Sequence, residues 1–174
     1  AVRGAFRAMT TGRPGAAHIC MPYDVMKLAI DPQEVWSQPG HDRFPAMRSR
    51  PDAVEVERAA AKLVASRSPV IVCGGGAILA GACGELETLA TMLNAAVCTT
   101  VSGKGTLPDS HPLNAGVVGT NGGVASTREV VMQADLVFFV GCRAGSTTTE
   151  HWKFPARDVP ILHLDADAMT ISTN

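Results

Sequence analysis

No apolar run in this sequence approaches the roughly 20 residues needed to cross a bilayer, so no membrane partner is expected. The N-terminus, Ala1-Val2-Arg3-Gly4, has no apolar core behind it and does not read as a signal peptide. It also lacks an initiator Met, as expected of a piece of a longer chain. Neither sign of charge dominates, with 15 Lys and Arg against 16 Asp and Glu. That balance argues against a nucleic-acid or anionic-membrane partner. Aromatic residues are few and glycine is plentiful. The five cysteines, Cys20, Cys73, Cys83, Cys98 and Cys142, form no C-x-x-C pair and are odd in number. Three end or lie inside apolar, strand-like runs, which reads as buried free thiols in a reducing cytoplasm. A catalytic thiol needs an activating base or cation beside it, and the sequence locates none. No Cys/His cluster has metal-ligand spacing, so no metal site is expected.

What is present divides into three parts. Residues 1–24 open helix-like, with Ala5, Phe6, Ala8 and Met9, then break at Gly12-Arg13-Pro14-Gly15. They continue into a short strand-like run, His18-Ile19-Cys20-Met21-Pro22. Residues 25–51 carry Pro32, Pro39, Pro45 and Pro51 with Gly40, and no apolar period survives; they read as a surface linker. From residue 52 to 174 the signals become regular. Asp52 and Glu55 have capping-box spacing, and Val56, Ala60, Leu63 and Val64 share a helical face. Pro69-Val70-Ile71-Val72-Cys73 is a buried strand. Leu86, Leu89, Ala90 and Leu93 mark a second helix. Ala96-Val97-Cys98-Thr99-Thr100 is a second strand, and Gly116 to Gly119 a brief strand or turn. Ser126 and Glu129 have capping-box spacing before another helix. Leu136-Val137-Phe138-Phe139-Val140 is apolar on both faces, as a central parallel strand requires. Pro160 to Asp165 is the last strand. This alternation predicts a parallel, doubly wound sheet between helices.

Every strand ends in small or polar residues. Gly74-Gly75-Gly76 follows the first strand, where glycine permits a tight turn and close approach of a phosphate. It meets neither G-x-G-x-x-G, because Leu79 holds the third glycine position, nor the phosphate-loop pattern. A plain tight turn is an equally good reading of that motif alone. Thr100 to Gly103, Gly119 to Gly123, Gly141 to Gly145 and Asp165-Ala166-Asp167 end the other strands. In open α/β sheets, ligands bind outside these carboxyl ends. Arg143 offers a planar fork for phosphate, and Asp165 an acceptor for sugar hydroxyls.

In this order and spacing, the segments resemble the central domain of thiamine-diphosphate-dependent enzymes of the acetohydroxyacid synthase and pyruvate decarboxylase-like superfamily. Gly12 to Val25 is similar to the end of that family's pyrimidine-binding domain. Pro69 to Gly76, Gly103-Lys104-Gly105 with His111-Pro112-Leu113, Ala134 to Arg143, and His163 to Asp167 resemble landmarks of the central domain. The resemblance implies a three-layer α/β/α fold with a six-stranded parallel Rossmann-like sheet. It implies that FAD, an adenine nucleotide or no ligand is held there. Gly74, Gly75, Gly76, Thr100, Ser102, Asn121, Gly122, Gly141, Arg143, Asp165 and Ala166 match positions that line FAD in flavin-bearing members. Such members carry acidic residues shortly after the arginine, where this chain has Ala144, Gly145 and Ser146. Thiamine diphosphate and Mg2+ are implied in the parent enzyme, between pyrimidine- and diphosphate-binding domains that this chain would need as partners, within a homo-oligomer. No catalytic residue is expected here. Two competing readings are a stand-alone nucleotide-binding regulatory module and an NAD-dependent deacylase-like enzyme. The second lacks the paired Asn/Asp and His that its chemistry needs.

Overall fold

The computed structural model describes residues 1–36 and 39–171. Two residues of the expected linker, and the last three of the expected central domain, lie outside the described residues. The chain divides into two compact units, Ala1–Ser49 and Arg50–Asn174.

In the first unit, α1 (Val2–Thr10) is the expected opening helix. Its last residue folds its hydroxyl back onto the Phe6 carbonyl at 2.7 Å. The break at Gly12 follows, with the glycine at φ +67°. The strand expected near His18 does not form: residues 14–22 run without helix or strand. An extended segment needs a neighbour to satisfy its N–H and C=O groups. Across the boundary into the stretch expected as a featureless linker runs α2 (Tyr23–Met26), and within that stretch lies a single 3₁₀ turn, Pro32–Glu34. The Asp31 carboxylate caps that turn, accepting from the Gln33 N–H at 2.9 Å. The stretch also returns to α1, where the Ala46 N–H donates to the Thr10 carbonyl at 2.8 Å. Thr11 and Met47 then form an isolated parallel bridge.

The second unit is the doubly wound sheet. Its elements are α3 (Ala53–Ala65), β1 (Pro69–Cys73), α4 (Gly75–Leu79), α5 (Cys83–Leu93), β2 (Ala96–Thr99), β3 (Asn114–Val117), α6 (Ala125–Met132), β4 (Leu136–Val140) and β5 (Ile161–Leu164). All four strand pairings are parallel, in the order β3-β2-β1-β4-β5. The expected sixth strand is absent among the described residues. After β5 the chain turns instead: the Asp165 carboxylate accepts from the Asp167 N–H, and that of Asp167 from the Met169 N–H. Such side-chain turns divert the backbone from a ladder.

The helices cover both faces of the sheet. On one, Leu63 of α3, Ala77 of α4 and Leu86 and Ala90 of α5 pack against Ile71, Val97, Leu136 and Phe138. On the other, Val131 of α6 packs with Val70, Val72, Cys98, Val137, Phe139 and Phe154. Adjacent strand residues alternate between the two clusters, which is why β1 and β4 are apolar throughout. Burial of each such side chain stabilises the fold by roughly 1.5–3 kcal/mol.

Two capping expectations resolve differently. Asp52 caps α3 as its spacing predicts, accepting from Val54 and Glu55 N–H at 2.9 and 3.3 Å. Glu55 does not reciprocate; it pairs with Arg58 at 2.7 Å. Of the expected apolar face, only Leu63 is buried, while Val56 and Val64 are exposed. Ser126 is not a cap. The glycine turn before α6 brings the chain into helix at Ala125, with Val124 as N-cap. Ser126 therefore sits inside the first turn. Finally, the Asp135 carboxylate ties the α3–β1 corner to β4. It accepts from the Ser66 hydroxyl, the Arg67 N–H at 2.7 Å and the Ser68 N–H at 3.0 Å.

Candidate functional site

The strand order reverses between β1 and β4. The chain leaves β1 through α4 and α5 towards β2 on one side, and α6 carries it from β3 back across to β4. In open α/β sheets this reversal opens the crevice where ligands bind. The loops that border it are Gly74-Gly75-Gly76 after β1 and Gly141-Cys142-Arg143 after β4. All the predicted site residues fall at this carboxyl edge, because each follows the end of a parallel strand or its connecting loop.

The glycines meet backbone to backbone. A Cβ on Gly74 would lie 2.2 Å from the Gly141 oxygen, and one on Gly141 would lie 2.3 Å from the Ala77 nitrogen. A Cβ on Gly76 would lie 2.8 Å from the Gly141 Cα. Gly141 also needs its freedom of conformation, at φ +56°. The N–H groups are engaged across the same joint. Gly74 donates to Val140 at 2.9 Å, Gly76 to Gly141 at 3.0 Å, and Gly141 to Leu164 at 2.8 Å. From the β2 side, the Thr100 N–H donates to the Cys73 carbonyl at 2.8 Å, and Thr100 Oγ1 accepts from Gly103 at 3.1 Å. Gly103 also abuts β1: its Cβ position lies 2.2 Å from the Cys73 oxygen. Gly75 faces Ser102, with its Cβ position 3.1 Å from that residue's carbonyl oxygen.

The remaining predicted residues lie on the loops along the same edge. Ser102, Asn121, Gly122, Arg143 and Ala166 are exposed, and Thr100 and Asp165 are half-buried. Asn121 accepts from the Thr120 hydroxyl at 3.4 Å. Gly122 stands at φ +126° against Val117 and Val101.

A feature the sequence reading missed lies beside them. The segment 145–152 folds over the β3–α6 loop as a strap. The Thr120 N–H donates to the Thr147 carbonyl at 2.9 Å. Gly119 packs so closely that a Cβ there would sit 2.5 Å from that same oxygen. Arg128 of α6 and Glu150 pair at 2.6 Å, with Glu150 buried; the pairing holds the arginine's pKa above its ordinary value. Glu150, His151 and Trp152 are consecutive left-handed residues, at φ +49°, +60° and +60°. Each costs roughly 1–2 kcal/mol, so the contacts around them must hold the turn. Ser146 and His151 Nδ1 lie 2.9 Å apart on its surface. Thr147-Thr148-Thr149-Glu150 carries no period of either kind, so only the three-dimensional contacts reveal the strap.

Cys73, Cys98 and Cys142 are buried. Burial pushes Cys73 and Cys98 up to about 12 and also raises Cys142. A thiol so raised carries almost no thiolate at neutral pH. Among the described residues, no group of His, Cys, Asp or Glu is placed to hold a metal ion.

Residues 56–174 match the family model described as thiamine pyrophosphate enzyme, central domain. The chain belongs to the thiamine pyrophosphate enzyme family. It is 37% identical, over 174 residues, to a protein of Methanocaldococcus jannaschii named as an acetolactate synthase large subunit; the match covers 99% of this chain and 29% of that protein. It is 30% identical to the glyoxylate carboligase of Escherichia coli O157:H7, over 96% of this chain and 28% of that one. The chain thus spans less than a third of the length of these relatives. A solved thiamin diphosphate-dependent enzyme from Mycobacterium smegmatis superposes with a TM-score of 0.73 over 97% of this chain and 32% of its own, at 24% identity; that likeness speaks for the fold. The central-domain match includes the sheet, the glycine joint and the strap, whereas the first unit lies outside it.

Proposed function

We propose that this chain is the non-catalytic scaffold portion of a thiamine diphosphate-dependent carboligase or decarboxylase acting on 2-keto acids. The observation that carries the reading is the combination of the central-domain match over 56–174 with likeness, across nearly the whole chain, to both an acetolactate synthase subunit and a glyoxylate carboligase. Thiamine diphosphate supplies the electron sink that such chemistry needs. Its ligands, and those of Mg2+, would come from pyrimidine- and diphosphate-binding domains elsewhere in the protein, in a homo-oligomer. The buried, free thiols suit a reducing cytoplasm. This chain's own contribution is mechanical: a sheet whose strand ends are locked together, to which the other domains attach. At its carboxyl edge, Ser102, Asn121, Arg143 and Asp165 are the side chains a nucleotide would meet.

The test compares this chain with the full-length gene product, each supplied with thiamine diphosphate, Mg2+ and pyruvate or glyoxylate. The longer protein is expected to release CO2 and form a carboligation product, and this chain alone to do neither. Turnover by the isolated chain would sink the scaffold assignment. A full-length protein inert toward every 2-keto acid tried would sink the reaction class.

A further inference from the structure

We infer that the carboxyl edge of this domain is braced by protein alone and holds no dinucleotide diphosphate at its glycine turn. The first observation concerns donors. A diphosphate seated on a glycine turn draws its hydrogen bonds from backbone N–H groups that point at it. Here the N–H groups of Gly74, Gly76, Ala77, Thr100, Gly103 and Gly141 all donate to backbone carbonyls, at 2.8–3.1 Å. Taking a phosphate there would break the Gly74–Val140, Gly76–Gly141 and Thr100–Cys73 bonds, which join β1 and its turn to the end of β4 and to the loop after β2, or the turn bonds beside them.

The second observation concerns space. Glycine at a phosphate turn leaves room for the ligand; at this turn the room is filled by the neighbouring loop. The nearest approaches at Gly74, Gly76 and Gly141, all under 3 Å to a notional Cβ, are to backbone atoms of the facing loop. Backbone contact explains each of these glycines without any ligand. Gly145, four residues on, has nothing within 4 Å of its Cβ position, so the tight packing at Gly141 does not extend along the whole loop.

The third observation is the strap. The loop bearing Asn121 and Gly122, predicted to face a ligand, is held from outside through Thr147 and through the Arg128–Glu150 pair. Just past the last strand, one Asp165 oxygen is already engaged by the Asp167 N–H. The loops after β1, β2, β3 and β4 are each tied to a neighbouring segment of this chain.

The inference is independent of the catalytic reading, and one set of measurements separates them. The whole chain and the full-length gene product are purified without added nucleotide, then titrated with FAD, NAD and ADP by equilibrium dialysis and thermal shift. The expected result is no visible flavin band, no saturable binding up to about 1 mM, and no change in Tm. Gly74→Ala and Gly141→Ala are expected to lower Tm by several degrees, equally with and without FAD, while Gly145→Ala leaves it unchanged. Should the first two variants fail to fold, the wild-type titrations and Gly145→Ala still decide the matter. Stoichiometric flavin on the purified protein would overturn the inference, as would a saturable Tm rise with FAD, NAD or ADP that Arg143→Ala or Asp165→Ala abolishes. A flavin-bearing protein that also carried out carboligation would refute this inference and leave the scaffold assignment standing.

Discussion

Replacing Asp135 with Ala should weaken the fold in a way that fades in acid. Its carboxylate accepts from the Ser66 hydroxyl and from the N–H groups of Arg67 and Ser68. Those donors lie at the turn between α3 and β1, and Asp135 immediately precedes β4, so the three bonds staple two central strands at one end. Hydrogen bonds to a charged group contribute roughly 1.5–3 kcal/mol each when buried. Asp135 is exposed, and water can replace it at each donor, so the sum is far smaller. Loss of a comparable exposed helix cap costs about 1 kcal/mol; with three donors involved, about 2 kcal/mol is expected. For a chain of this size that lowers Tm by about 4–8 °C. The same bonds, led by that from Ser66, hold the carboxyl pKa below its ordinary 3.8. A lowered folded-state pKa gives stability that is present above 3.8 and lost as pH falls through the folded value. The alanine variant has nothing to lose there. Urea unfolding followed by circular dichroism, at neutral pH and at about pH 2–3, should show a gap that closes on acidification. A gap of the same size at both pH values would refute the reasoning, as would no gap at neutral pH.

Other outcomes follow from the same structure. Phe139→Ala, at 1% exposure, should cost about 3–5 kcal/mol by opening a cavity under α6, read as a lower urea midpoint. Under native conditions an alkylating reagent should label Cys20 fast and Cys83 slowly, and leave Cys73, Cys98 and Cys142 untouched until denaturant is added, as counted by mass spectrometry. The raised pKa of Cys73 and Cys98 gives stability that is whole below 9.0 and declines as pH rises towards about 12; stability flat across that window would contradict their burial. Arg128→Leu should leave Glu150 buried without its partner, and limited proteolysis should then cut first within 145–152.

The sheet was legible in the sequence because parallel strands announce themselves. Val70 to Cys73 and Leu136 to Val140 are apolar on both faces, and only a strand covered twice has reason to be. The carboxyl edge of the sheet was legible from the same pattern, since small and polar residues cluster where strands end. The order of the strands was not legible: β1 pairs with β4 through residues 67 positions apart, and no local signal encodes that. The sixth strand was expected from family likeness, whereas the Asp165 and Asp167 turns are local chemistry that the described residues obey. The role of the glycines was half legible. Gly74-Gly75-Gly76 reads equally well as a phosphate seat or a tight turn, and only the three-dimensional packing shows how close the Gly141 oxygen comes to it. The strap was invisible because its threonines carry no period and its left-handed residues are not glycines.

The wholly parallel sheet has a kinetic consequence. A hairpin can zip from its turn within microseconds, but this sheet contains none. The central pairing of β1 with β4 must close a loop of some sixty residues before it forms a single ladder bond. Folding of this domain should therefore be slow for its size. During that delay the apolar runs 69–73 and 136–140 remain uncovered, each with the β-propensity and lack of charge that invite pairing with another chain. The interval in which the domain is most vulnerable to aggregation is thus written into the order of its strands.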